Sequence, residues 1–116
     1  VIADFNEFSW LITSKYGRQH LDIYIPSIKL AIEYDGEQHF KPVCFGGIDI
    51  KKAQANLIQT KRLDRRKNNC IKSHPEDITY FIRFNYKEPL TEEYVKEKLI
   101  KSGIILLRKE NNNDQI

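Results

Sequence analysis

The sequence predicts an α/β fold, a single domain with a mixed β-sheet core flanked by helices. Three observations predict it. β-rich runs lie at 20–25, 28–34 and 78–84. A helical segment at 49–68 is long enough to cross over between the second run and the third. Amphipathic segments near both ends supply further helices. The length of 116 residues fits one unit. The expected domain covers 1–110, with 111–116 as a polar, frayed tail.

Each element has a local reason. Asp4-Phe5-Asn6-Glu7 has the spacing of a capping box. Phe5, Phe8, Leu11, Ile12 and Tyr16 follow at helical spacing and Gly17 is a stop signal, so a short helix is expected there. His20 to Ile25 and Ile28 to Tyr34 flank Pro26-Ser27 and read as a hairpin. Lys41 to Gly47, with Pro42, Gly46 and Gly47, reads as a loop. Asp49 to Asn68 is the long helix. Ile78 to Phe84 is apolar enough for a central strand. Pro89 and Thr91 open a last helix with Val95 and Leu99 on one face and Gly103 at its end. Ile104–Leu107 adds a short edge strand.

Composition narrows the class. Hydrophobic residues are 41% and charged residues 30%, as in a globular chain rather than a disordered one. The longest apolar run, Ile104–Leu107, is far short of the ~20 residues of a membrane span. The opening Val1-Ile2-Ala3-Asp4 is too briefly apolar for a secretory signal. The first residue is Val rather than Met, as in a piece of a longer protein. Cys44 and Cys70 form no CxxC pair and read as reduced thiols of an intracellular protein, with Cys70 a small core residue.

The net charge of +3 is small, but its distribution is uneven. Lys51, Lys52, Lys61, Arg62, Arg65, Arg66, Lys67 and Lys72 share one stretch with a single acid, Asp64. Such a block is either a footprint for phosphate or a solvated helix face. With Leu57 at zero and ~100° per residue, Asp64 falls about 20° from it, along the apolar stripe, and Arg62 and Arg66 fall on the far side. A carboxylate in that position needs a partner or a metal. A buried salt bridge would serve as well.

Asp22 lies in a strand, which Asp disfavours, and shares a face with Tyr24. Glu33 and Asp35 share a face of the next strand with Ala31. Three carboxylates near adjacent strand ends repel one another unless a cation lies between them. Carboxylates so placed suit metal-assisted phosphodiester hydrolysis. They could equally cap the hairpin or pair with lysines. His39, four residues past Asp35, could reach the same pocket as base or proton donor. His20 and His74 have no comparable carboxylate company.

The run from Leu21-Asp22-Ile23-Tyr24-Ile25-Pro26 to Asp35-Gly36-Glu37-Gln38-His39-Phe40 resembles the PD-(D/E)xK nuclease superfamily. Within it the likeness is to the very-short-patch-repair-like branch, which includes phage homing endonucleases with an E-D-x-H-D pattern. Asp64-Arg65-Arg66-Lys67 is similar to that branch's helical signature. The Ile78–Phe84 strand fits the last core strand, and the likeness covers roughly residues 4–100.

The resemblance implies a restriction-endonuclease-like fold and a metal-dependent DNA endonuclease. Asp22 would be the central metal ligand, Glu7 the leading Glu, His39 the catalytic histidine and Asp64 the closing Asp. The variable position falls at Glu33 to Asp35, where Glu33-Tyr34-Asp35 lacks the superfamily's lysine. Asp22 and Glu33 would hold Mg²⁺, with Mn²⁺ as a substitute. Lys61, Arg62, Arg65, Arg66 and Lys67 would contact phosphates. The implied partner is double-stranded DNA, with a targeting domain outside these residues and a homodimer for double-strand cleavage. The implied setting is intracellular, for a phage-encoded enzyme in a bacterial host. Two other readings remain: a non-catalytic nucleic-acid-binding domain using the basic helix 51–72, and a protein-interaction module.

Overall fold

A computed structural model describes residues 1–13 and 17–104. The chain divides into two compact units, Val1–Tyr86 and Lys87–Ile116. The expected strand at Ile104–Leu107, the tail at 111–116 and the role given to Tyr16 fall wholly or mostly outside the described residues.

The first unit holds a four-stranded mixed sheet, β1 (Ile2–Phe5), β4 (Leu21–Ile25), β5 (Leu30–Asp35) and β6 (Tyr80–Asn85), in that spatial order. A separate two-stranded ribbon joins β2 (Ile12–Thr13) to β3 (Gly17–Arg18). β4 and β5 form the expected antiparallel hairpin, with Ile23 opposite Ile32 and Ile25 opposite Leu30. Pro26 starts the connecting 3₁₀ turn, and Lys29 closes it in the left-handed conformation at φ 53°. The Lys29 carbonyl then accepts the N–H groups of Thr79 and Tyr80 and so anchors the start of β6.

β5 and β6 run parallel, from Leu30 opposite Tyr80 to Asp35 opposite Asn85. The crossover is α1 (Ile50–Lys72), capped by Asp49, whose side chain accepts Lys52 N–H at 2.8 Å. The helix runs one turn past its expected end at Asn68. Ile71, only 4% exposed, belongs to the core, and burying it outweighs the weak helix preference of Asn68-Asn69. Ile50 lies on the expected apolar stripe but is exposed in the first turn.

Two expectations are corrected. The described part of the expected first helix, 4–13, is not helical. Asp4 takes φ 53°, which no cap requires, and its carboxylate meets His20 Nδ1 at 2.6 Å. His20 therefore does have a carboxylate partner. Phe8 and Trp10 stack with centroids 4.7 Å apart, and Trp10 stacks on His74 at 4.1 Å. Residues two apart lie on nearly opposite sides of a helix, so these contacts exclude one; the chain instead turns at Ser9-Trp10, where Leu11 N–H donates to the Phe8 carbonyl at 3.2 Å. Side chains of Phe5, Phe8, Trp10 and Leu11 all turn inward around Tyr24. Their apparent helical spacing reflects a multi-sided burial that a single stripe cannot provide. Secondly, β6 is an edge strand among the described residues, with β4 and β5 central. Its apolar sequence reports burial of residues such as Ile82 and Phe84, not two hydrogen-bonded neighbours.

The core of the first unit joins Leu11, Leu21, Tyr24, Ala31, Ile71 and Ile78, with the Cys70 thiol packed against it. Tyr24 Oη donates to the Asp77 carbonyl at 2.7 Å, and Trp10 Nε1 donates to the Asp77 carboxylate at 2.9 Å. The second unit holds α2 (Glu92–Lys101), capped by Thr91 as expected and followed by Gly103 at φ 92°. Leu99 is its buried helical residue, and Glu88 accepts from Tyr94 Oη and from Lys98 Nζ.

Leu21 is fully buried, so Leu21→Ala should destabilise the fold by about 2–5 kcal/mol in urea unfolding. Burial, and to a lesser extent the Asp77 charge, push the Tyr24 phenol above its ordinary value of 10.0. The folded state then holds this proton more tightly than the unfolded one. Its contribution is whole below pH 10.0 and is lost as pH rises from there through the folded value. Tyr24→Phe should accordingly lose less stability than the native chain between mildly and strongly alkaline solution, measured as urea midpoints.

Candidate functional site

The backbone ladder between β4 and β5 stops at Ile23 and Ile32. One step further, side chains take over the pairing. Asp22 N–H donates to Glu33 Oε2 at 2.7 Å, and Tyr34 N–H donates to Asp22 Oδ2 at 2.8 Å. Each carboxylate stands in for a backbone carbonyl of the other strand. Asp22 and Glu33 are thus brought together, as the alternation of faces predicts. Asp22 is exposed and Glu33 is buried.

Lys67 reaches this pair from α1. Its Nζ lies 2.8 Å from Glu33 Oε1 and donates to the His20 carbonyl at 2.6 Å. Both charged side chains are nearly out of solvent, at 12% and 8% exposure. Both Glu33 oxygens are therefore engaged, one by the lysine and one by the Asp22 amide.

A second group forms at the end of β5. His39, in the 3₁₀ turn after Gly36, pairs through Nδ1 with Asp64 Oδ2 at 2.8 Å. The same nitrogen lies 3.7 Å from Asp35 Oδ1. Asp35, His39 and Asp64 each offer a ligand atom within 4.8 Å of the others. Three separate elements meet here. β5 ends at Asp35, the turn carries His39 back over it, and α1 returns Asp64, the one acid in its basic stretch.

Arg83 completes the group from β6. Its Nη1 donates to Asp35 Oδ1 at 2.7 Å, and Nη2 lies 3.9 Å from Asp64 Oδ1. Nε and Nη2 both donate to Asn68 Oδ1, at 3.1 and 2.9 Å. The guanidinium also sits 5.0 Å from the centre of the Phe81 ring. Arg83 and Asn68 were missed by sequence reasoning. A signal existed for each: Arg83 is the lone charge in an otherwise apolar strand, as Asp22 is in β4. Asn68 lies one helical turn past Asp64, on the same face.

The remaining expected residues separate. Glu7 is exposed in the loop after β1 and lies outside both groups. The fork of Arg66 is spent on the Ile12 carbonyl, at 2.9 and 2.6 Å, which ties α1 to the ribbon. Lys61, Arg62 and Arg65 are exposed along α1. A cleft of about 370 Å³ is lined by residues including Gln38, Lys41, Leu57, Thr60 and Leu63, and Asp35, His39 and Asp64 are not among its lining residues. Gln38 and Leu63 are the chain neighbours of His39 and Asp64.

No protein-family model matches the chain, and no curated protein or solved structure is significantly similar to it. The functional reading therefore rests on the geometry.

The Lys67–Glu33 pair yields a stability test. Lys67→Met leaves the buried Glu33 carboxylate without its counter-charge and should cost about 3–5 kcal/mol. Adding Glu33→Gln in the same chain should restore part of that loss. Urea unfolding of the two single variants and the double variant measures the coupling.

Proposed function

We propose that the chain is a metal-dependent endonuclease that hydrolyses DNA phosphodiesters, on a restriction-endonuclease-like core. The observation that carries this reading is the His39–Asp64 pair at 2.8 Å, set against Asp35 at the end of the strand next to Asp22. An imidazole oriented by a carboxylate is a proton-transfer device. Placed beside further carboxylates at strand ends, it suits attack of water on a phosphate.

The donor set fits a divalent cation. Asp22 and Asp35 lie on one face of adjacent strands and present hard oxygens. One or two protein carboxylates are the usual complement for Mg²⁺, and Mn²⁺ also accepts such ligands. Asp35 would hold it with Asp64, whose ligand atom lies within 4.8 Å of its own, and Asp22 would add an exposed carboxylate from the next strand. When bound, the cation would supply Lewis-acid stabilisation of charge on the phosphate. Glu33, with both oxygens engaged, instead fixes the Asp22 backbone.

The chain's own residues then divide the work. Ionised Asp64 holds the proton on His39 Nδ1, which makes Nε2 the basic nitrogen. His39 Nε2 takes a proton from the attacking water, or returns one to the leaving oxygen. Lys61, Arg62 and Arg65 follow the DNA backbone and give affinity and salt dependence without base choice.

The test is nicking of supercoiled plasmid with Mg²⁺, Mn²⁺ or EDTA. Cleavage should require a divalent cation. His39→Ala and Asp64→Asn should each lower the rate by about 100-fold or more while the variants stay folded. One specific observation favours a second reading: the exposed basic side of α1 alone could bind nucleic acid. Salt-dependent DNA binding with no cleavage under any metal would replace the enzyme by a binding domain.

A further inference from the structure

We propose that Arg83 is a resident substitute for the divalent cation, and that guanidinium and cation compete for Asp35. The inference rests on reading Asp35 as a cation ligand and goes beyond it by assigning a residue that controls loading. Asp35 is 6% exposed, and Asp64 stands beside it with His39 between them. Two carboxylates this close repel each other, and the buried one needs a counter-charge. Arg83 supplies it, at 2.7 Å from Asp35 and 3.9 Å from Asp64.

One guanidinium faces two carboxylates, bonded to Asp35 at 2.7 Å and 3.9 Å from Asp64. The group is thus stable without a metal and still under-compensated. A divalent cation at Asp35 would complete the compensation, but it would stand beside a guanidinium already bonded to that carboxylate. Like charges at that distance repel, so the two cations exclude each other from Asp35.

The arginine has somewhere to remain. Its Nε and Nη2 both donate to Asn68 Oδ1, and Phe81 lies beneath it. Releasing Asp35 gives up that charge-assisted bond and leaves the Asn68 bonds and the Phe81 contact in place. Asn68 therefore acts as the parking partner, and its value to cation binding lies in holding the displaced arginine.

Calorimetric titration with Mn²⁺ tests this without any DNA. Arg83→Met should bind Mn²⁺ about tenfold more tightly than the native chain. Its unfolding temperature without metal should be lower and should rise more on adding Mn²⁺. Asn68→Ala changes an exposed residue and should act in the opposite sense, weakening Mn²⁺ binding. Asp35→Asn should weaken it in either background. Unchanged or weaker Mn²⁺ binding by folded Arg83→Met overturns the inference, as does unchanged binding by Asn68→Ala. If the native chain nicks plasmid with Mn²⁺ while Arg83→Met binds no more tightly, the competition fails and the nuclease stands. Tighter binding in Arg83→Met with no nicking by the native chain supports the competition and removes the nuclease.

Discussion

Glu33 is held on both oxygens, by Lys67 Nζ at 2.8 Å and by the Asp22 amide at 2.7 Å, and most of the arrangement depends on that double grip. It joins α1 to the centre of the sheet through a nearly buried ion pair. It also ends the β4–β5 ladder in a defined way. Asp22 answers with its own carboxylate on the Tyr34 amide, so two side chains replace the backbone pairing that would have filled this end. The strands are linked there without being zipped shut, and the Asp22 carboxylate remains exposed.

The same economy is repeated one pair further along β5. Asp35 is buried, and a buried carboxylate is tolerable only with partners. Arg83 and His39 provide them from β6 and from the turn, and Asp64 orients His39 from α1. The parallel register matters here. Glu33 stands opposite Arg83 and Asp35 opposite Asn85, so the guanidinium reaches diagonally to Asp35. An antiparallel β6 would run past β5 in the other direction and would need a different residue at this place. The crossover helix is thus both the connection that permits a parallel pair and the carrier of Asp64, Lys67 and Asn68.

How much of this was legible follows from which physical rule each residue obeys. The hairpin, the crossover helix and the Thr91 cap obey local rules of propensity and capping, and those are written in short windows. The face shared by Asp22 and Tyr24, or by Glu33 and Asp35, follows from strand alternation. That Asp64 needs a partner was legible from its place on an apolar stripe, but which residue supplies it was not, because His39 comes from a turn 25 positions away. The segment 4–13 was not, because its aromatics obey tertiary packing: Trp10 stacks on His74, a residue 64 positions away. A capping-box spacing at Asp4 cannot reveal that its carboxylate pairs with His20. Arg83 was hidden for a related reason, since its partners come from α1 and β5.

The basic stretch of α1 shows why a local charge count overstates a binding surface. Eight basic residues fall between Lys51 and Lys72, yet they do different work. Arg66 ties the helix to the Ile12 carbonyl, and Lys67 neutralises Glu33. These two charges hold the fold together and are not free to follow a phosphate backbone. Lys61, Arg62 and Arg65 stay in water on the outer turns. The helix thus turns acid and lysine toward the sheet and leaves a smaller basic surface outside. That division places the catalytic candidate Asp64 and the phosphate candidates on one helix, one to three residues apart in sequence. Any nucleic acid following the outer charges would therefore be held in fixed relation to Asp64 and, through it, to His39.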